Sequence, residues 1–133
     1  MNRFIFNSSD FKSIPIAITM SNLTSKSPVR GTCALLELSE TGVVLSVPRA
    51  SCALGHQISI QLGVGEPPAA IKLDATAKAL DVETENHDDA KSEFDRVSLQ
   101  FIQYDLERMN QFREVFSKRQ REINQFLRSV KGE

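Results

Sequence analysis

Hydrophobic residues in the first hundred positions either alternate with polar ones or form short runs, separated by clusters rich in Gly, Pro and Asn. Alternation sends successive side chains to opposite faces of a strand, so this pattern predicts β-structure. The predicted strands cover residues 4–6, 14–20, 29–38, 42–47, 57–64, 70–82 and 96–104. Strands at this spacing, with turn residues between them, are typical of a small antiparallel barrel or sandwich.

The pattern changes at the end of the last predicted strand. The stretch 105–133 has no Pro, and its only Gly is Gly132. Asp105 is suited to cap a helix that begins at Leu106. Apolar residues then recur at steps of three and four, with Arg119 at one expected apolar place. These apolar residues are Met109, Phe112, Phe116, Ile123, Phe126 and Val130. We therefore predict a β-barrel in residues 1–104 and one long helix in residues 105–133.

A helix of about 25 residues is about 37 Å long, which exceeds what is needed to cover the open end of a small barrel. We expect its first half to pack on the barrel. The second half then carries four apolar residues with no obvious partner: Ile123, Phe126, Leu127 and Val130. Either the helix folds back onto its own barrel, or copies of the chain associate along this stripe. We expect a homo-oligomer formed through this surface.

Composition and charge narrow the classes of function. The formal net charge is -1, which gives no electrostatic reason to expect a DNA or RNA partner. No apolar run approaches the roughly 18 residues of a membrane span, and the N-terminal one is too short for a signal peptide. We therefore expect a cytoplasmic protein without membrane insertion.

The residues that could carry chemistry are few. Two Cys and two His are present, and their spacing matches no metal-ligand pattern. We expect no metal, no resident cofactor and two buried thiols rather than a disulfide. Neither His stands near a nucleophile in a recognisable arrangement, so an enzyme is not expected.

A polar interruption divides the most hydrophobic part of the chain. It reads Glu37-Leu38-Ser39-Glu40-Thr41-Gly42 and separates two apolar segments. A tight turn between strands explains it: Gly42 permits a positive φ, and the Ser39 hydroxyl can accept hydrogen bonds from the turn backbone. A turn that faces a ligand is the other interpretation, because the same hydroxyl can donate to a phosphate oxygen.

This interruption, within a barrel that runs into a C-terminal helix, resembles a motif of the PilZ family, bacterial receptors for cyclic di-GMP. Family members carry an Arg-x-x-x-Arg motif near the N-terminus and an Asp/Asn-x-Ser-x-x-Gly motif before an apolar strand. Ser39 and Gly42 match the second motif, and Glu37 stands at its first position. The resemblance covers nearly all of residues 11–116. It implies a mainly β fold with a C-terminal helix, in which a small antiparallel six-stranded-type barrel comes first.

The first motif of the family is not matched. Ser8 and Lys12 stand where the family has its two arginines. Lys26 and Arg30 have the right spacing, but they lie on the strand that leads into the turn, at the wrong distance from Glu37 for the family. A planar guanidinium grips phosphates in a bidentate manner and stacks on guanine, which an ammonium group does not. The resemblance without these arginines favours a regulatory or adaptor domain whose usual nucleotide site is degenerate and which contacts an unidentified protein partner.

The resemblance implies a precedent for such adaptor domains in bacterial motility and type IV pilus systems. The alternative is a working receptor for cyclic di-GMP. Such a receptor would bind the nucleotide through a variant site. The residues of that site would be Lys12, Arg30, Glu37, Ser39 and Gly42.

Overall fold

The computed structural model describes residues 5–11, 14–65, 70–84 and 94–130. These residues form eight strands and two helices. In chain order the elements are β1 (Ile5–Asn7), α1 (Ser8–Phe11), β2 (Ile16–Asn22), β3 (Ser27–Pro28), β4 (Ala34–Ser39), β5 (Gly42–Pro48), β6 (Gln57–Val64), β7 (Ile71–Thr84), β8 (Phe94–Tyr104) and α2 (Leu106–Val130).

All eight strands belong to one antiparallel sheet with the order β1-β4-β5-β8-β7-β6-β2-β3. Six long strands form its centre, and the short β1 and β3 extend its two edges. The predicted fold class, an antiparallel six-stranded-type barrel followed by a long helix, is confirmed with one difference. Among the described residues no ladder joins the two edges, so the sheet is open, although β2 and β4 contact each other across the gap.

Strand alternation builds the core as the sequence predicted. In β6, the side chains of Ile58, Ile60 and Leu62 are buried, whereas Gln57 and Ser59 are exposed. Each fully buried aliphatic side chain stabilises the fold by about 1.5–3 kcal/mol relative to an exposed one. A one-residue slip of this strand would exchange the two faces, so burial fixes its register against β7 and β2.

The start of α2 follows the predicted capping geometry. Asp105 Oδ1 accepts hydrogen bonds from the backbone N–H groups of Glu107, at 2.9 Å, and Arg108, at 3.3 Å. These are two of the four N–H groups that lack a partner within the helix. The helix then begins at Leu106 and runs for 25 residues.

The first half of α2 closes the core. Met109, Phe112 and Phe116 are buried, and the ring centroid of Phe116 lies 5.3 Å from that of Phe6 and 4.9 Å from that of Phe11. Residues from the start of the chain therefore pack directly against its last helix. The side chains of Asp10 and Gln120 join α1 to α2 by a hydrogen bond of 3.2 Å.

Some local predictions were wrong. The strand predicted to begin at residue 29 begins at Ala34, because Gly31, with φ of 111°, interrupts the extended backbone. The four-residue helix α1 and the two-residue strand β3 were not predicted. In the described part of the chain, neither helix combines the length and the apolar character that crossing a bilayer requires.

Candidate functional site

The turn between β4 and β5 is braced by one hydroxyl. Ser39 Oγ accepts hydrogen bonds from the backbone N–H groups of Gly42, at 3.2 Å, and Thr41, at 3.3 Å. It also lies 3.1 Å from Thr41 Oγ1. This arrangement is a side-chain mimic of a backbone turn. The Ser39 hydroxyl therefore holds the turn in shape, and a ligand would have to compete with these bonds for it.

Gly42 is required for a reason other than the predicted one. We predicted a positive φ, and this is wrong: the described glycines with positive φ are Gly31, Gly55 and Gly65. A Cβ atom on Gly42 would instead collide with the backbone carbonyl oxygen of Leu99 in β8. Glycine thus permits the close approach of the turn to β8.

A shallow pocket of about 180 Å³ lies beside this turn on the outer face of the sheet. The inner face here is the buried row Leu38, Val43, Leu99 and Ala79, formed by neighbouring strands. Side chains one position away on each strand point outward. The residues that give the pocket its chemistry are Glu37, Ser39, Thr41, Ser98, Gln100 and Leu80.

A β-bulge supplies the apolar wall of the pocket. The register between β7 and β8 shifts between Ala79 and Asp81, which leaves Leu80 without a partner in the ladder. Its side chain is 53% exposed and lines the pocket. Bulges commonly re-aim a side chain in this way. Sequence reasoning missed Leu80, Ser98 and Gln100, because nothing in the chain signals which strands become neighbours.

Acidic groups outnumber basic ones around the pocket. Glu37 is the charged member of its described lining residues. The outward row that starts at Glu37 passes through Val44 and Ser98 to Asp81. Lys78 is the cation closest in register, opposite Gln100 in the next row. The pocket therefore offers hydrogen-bond acceptors and negative charge rather than a grip for an anion.

The predicted ligand residues separate into two groups. Glu37, Ser39 and Gly42 lie together at the pocket. Arg30 is exposed and lies near the opposite end of β5 from Gly42. Its neighbour Gly31 packs against Pro48, the last residue of that strand. Six residues of strand separate the two ends, or about 20 Å at 3.3 Å per residue. Lys12 lies outside the described residues.

No protein-family model matches the chain, and no curated protein matches it by sequence. Its fold is similar to the solved structure of the Bacillus subtilis inhibitor of motility, MotI/DgrA, with a TM-score of 0.52 and 11% identity. The likeness supports a PilZ-like fold. It covers 85% of this chain and 52% of that one, so this chain spans about half the length of the solved protein. At this identity the likeness concerns the fold alone.

The second half of α2 carries the predicted self-association residues of this PilZ-like fold. Ile123 is half-buried, whereas Phe126 is 67% and Leu127 48% exposed. The side chain of Val130 lies outside what the structure describes. Arg119 marks the boundary between the two halves of the stripe, where it forms an ion pair of 3.7 Å with Glu122. Beyond it, the apolar stripe that is buried at Phe116 continues into solvent.

Asn22 forms a polar cluster elsewhere in the sheet. Its Nδ2 donates to the Ser51 carbonyl oxygen, at 3.0 Å, and to His56 Nδ1, at 2.9 Å. Its Oδ1 accepts from the backbone N–H groups of Thr24 and Ser25, both at 3.0 Å. The side chain is 2% exposed, so these four bonds satisfy a buried amide completely. We assign it a structural role, joining the β2–β3 turn to the segment before β6.

The two cysteines are free thiols; Cys52 is buried and Cys33 is half-buried. Burial, together with smaller electrostatic contributions from Cys33 and Asp95, raises the pKa of Cys52 to about 11. Burial also raises the pKa of Cys33. Since the thiolate is the reactive form, both groups are poor nucleophiles at neutral pH. Among the described residues, no group of His, Cys, Asp and Glu is arranged to hold a metal ion.

Proposed function

We propose that the protein is a non-enzymatic, PilZ-like regulatory or adaptor domain of bacterial cyclic di-GMP signalling, whose usual nucleotide site is degenerate. One observation carries the proposal: the pocket at the motif is lined by Glu37 and by no cation among the described residues. A ligand with two phosphates would have to approach this carboxylate without a compensating guanidinium. The domain then acts in the cytoplasm through protein contacts.

The expected loss of nucleotide affinity is large. Ser8 and Lys12 replace the arginines of the family motif. A charge-assisted bidentate contact with a desolvated partner contributes about 2–5 kcal/mol. Each 1.4 kcal/mol changes the dissociation constant about tenfold, so the loss of two contacts removes about three decades of affinity or more.

The distal half of α2 is the contact surface in this proposal, and a second copy of the chain is its partner. Phe126 is 67% exposed. An aromatic side chain presents about 200 Å², of which this fraction is about 130 Å², worth about 3 kcal/mol at 25 cal/mol per Å². Leu127 adds a second exposed apolar group beside it. Association along this stripe would remove both from water. The solved protein that shares the fold is itself named as an inhibitor of motility.

Two measurements test the proposal. Calorimetric titration with cyclic di-GMP should show no saturable binding with a dissociation constant at or below about 1 μM. Light scattering at tens of micromolar should give a mass above that of one chain. The double change Ile123→Glu and Phe126→Glu should lower this mass while the circular dichroism spectrum stays the same.

A matched control separates the apolar stripe from the charge that the variant adds. Asn124 and Gln125 are exposed on the same helix and lie away from the stripe. The double change Asn124→Glu and Gln125→Glu adds equal charge and should leave the mass unchanged. A monomeric wild type, or equal loss in both double variants, would remove the self-association part of the proposal.

A second candidate function has one observation in its favour. The structure brings Glu37, Ser39 and Gly42 together at one pocket. A carboxylate at Glu37 can accept hydrogen bonds from the N1–H and N2–H groups of guanine. A receptor that binds cyclic di-GMP through this variant site is therefore the alternative. Submicromolar binding in the same titration would establish it.

A further inference from the structure

The outer face beside the Ser39–Gly42 turn has a defined charge pattern. In one row, Glu37 and Asp81 stand at opposite ends, with Val44 and Ser98 between them. Three strand spacings of about 4.8 Å separate the ends by about 14 Å. Lys78 stands in the adjacent row on one side, and Arg96 and Glu83 stand in the adjacent row on the other. Three carboxylates against two cations leave this face with a net negative charge, whose potential a cleft concentrates.

The size of the pocket limits what can enter it. Its volume is about 180 Å³. Pockets for drug-sized ligands typically measure about 300–1,000 Å³, so a dinucleotide would remain mostly outside. A single side chain of a partner protein is a closer fit in size.

The polar groups of the pocket select the kind of side chain. The Glu37 carboxylate is an acceptor with two oxygens, and the Gln100 amide and Ser98 hydroxyl add further acceptors. Leu80 presents an apolar surface that is 53% exposed. A fitting group therefore has several N–H donors, a positive charge and an apolar stem. The guanidinium of arginine has five donors in one plane and is more weakly hydrated than the ammonium of lysine.

We propose that this pocket receives an arginine side chain of a partner protein. The Glu37 carboxylate accepts hydrogen bonds from the guanidinium. The side-chain oxygens of Gln100 and Ser98 accept hydrogen bonds from its remaining N–H groups, and Leu80 packs on its methylene stem. The inference rests on the proposed function, because it names the chemistry of a protein contact made by a domain that does not bind the nucleotide. In the family site, arginines of the domain bind an anionic ligand. In this pocket, a carboxylate of the domain binds a cationic group of the partner.

Nuclear magnetic resonance on the full chain with labelled leucine methyl groups tests the inference. N-acetyl-arginine amide is the probe, and its neutral isostere N-acetyl-citrulline amide is the control ligand. The arginine probe should shift the Leu80 methyl and Gln100 side-chain signals in a saturable way, at a dissociation constant of about 1 mM. The citrulline probe should bind at least about tenfold more weakly, a difference of about 1.4 kcal/mol.

Two variants identify the group that recognises charge. Glu37→Gln keeps the shape of the side chain and should weaken arginine binding at least about tenfold. Glu83→Gln is the matched control, because Glu83 lies on β7 opposite Arg96 and does not line the pocket. It should leave the binding unchanged. The methyl spectra of the unliganded variants report in the same experiment whether each one is folded.

Equal shifts with the arginine and citrulline probes, or no shift at Leu80, would overturn the inference. If this happens while cyclic di-GMP does not bind and the chain self-associates, the proposed function survives and the arginine pocket alone is wrong. If cyclic di-GMP moves the same signals at micromolar concentration, the pocket is a nucleotide site, and both proposals fail.

Discussion

Replacing Gly42 by alanine tests the close approach of β5 to β8. The new Cβ would collide with the Leu99 carbonyl oxygen, and the Leu99 carbonyl carbon and Gln100 Cα lie 3.1 and 3.3 Å from its position. All of these are backbone atoms of a strand paired on both sides, so no side-chain rotation relieves the collision. The start of β5 has to move away, which endangers the 2.8 Å bond from the Phe101 N–H group to the Thr41 carbonyl.

The magnitude follows from these two effects. Overpacking costs about 1–3 kcal/mol, and the loss of one hydrogen bond about 0.5–1.5 kcal/mol. Gly42→Ala should therefore lower the free energy of unfolding by about 1.5–4.5 kcal/mol, measured by urea denaturation with fluorescence or circular dichroism.

Gly63→Ala is the control. Gly63 also lies within a strand, but a Cβ built on it meets the Ala17 Cβ at 3.8 Å, an ordinary contact, and its φ is not positive. This change should be neutral or stabilise by up to about 1 kcal/mol, since it restricts the unfolded chain. Equal urea midpoints for the two variants would show that β5 and β8 are not as close as the structure has them.

Two more predictions concern the interior. Asn22→Ala removes four hydrogen bonds from an amide that is 2% exposed and should lower the free energy of unfolding by about 3 kcal/mol or more in urea denaturation; a loss below about 1 kcal/mol would contradict the cluster. The pKa of Cys52 is raised from 9.0 to about 11 in the folded protein, so between these values the folded state holds a proton that the unfolded state releases, and stability falls as pH rises. The thermal midpoint should thus fall more steeply above pH 9 in the wild type than in Cys52→Ala, and parallel slopes would refute this assignment.

Patterns that depend on neighbours in the chain were predictable. The strand at residues 57–64 has the predicted bounds, and the last helix begins at Leu106 as predicted, because alternation and an N-cap are local features. The helix α1 was not predicted. Its four residues are held by contacts with α2, through Asp10 and Phe11, in addition to one local bond of 3.0 Å from the Asn7 N–H group to Asp10 Oδ2.

The candidate site shows the same division. Ser39 and Gly42 could be recognised as a turn, and Ser39 braces it as the spacing allowed. The reason why position 42 requires glycine could not be predicted, because it depends on the carbonyl group of Leu99, which is far along the chain. Leu80 gave no signal either, because a bulge depends on how two strands pair. Long-range pairing therefore determines which residues share the pocket.

The packing of Phe11 on Phe116 has a consequence for protein synthesis. The two rings come from residues 105 positions apart, and a ribosome that adds about 5–20 residues per second needs about 5–20 s to make the intervening chain. During this time Phe6 and Phe11 have no α2 to cover them. The strands can pair as they emerge, but the core cannot close until the helix has left the exit tunnel. Until then the nascent chain exposes aromatic surface to which chaperones bind.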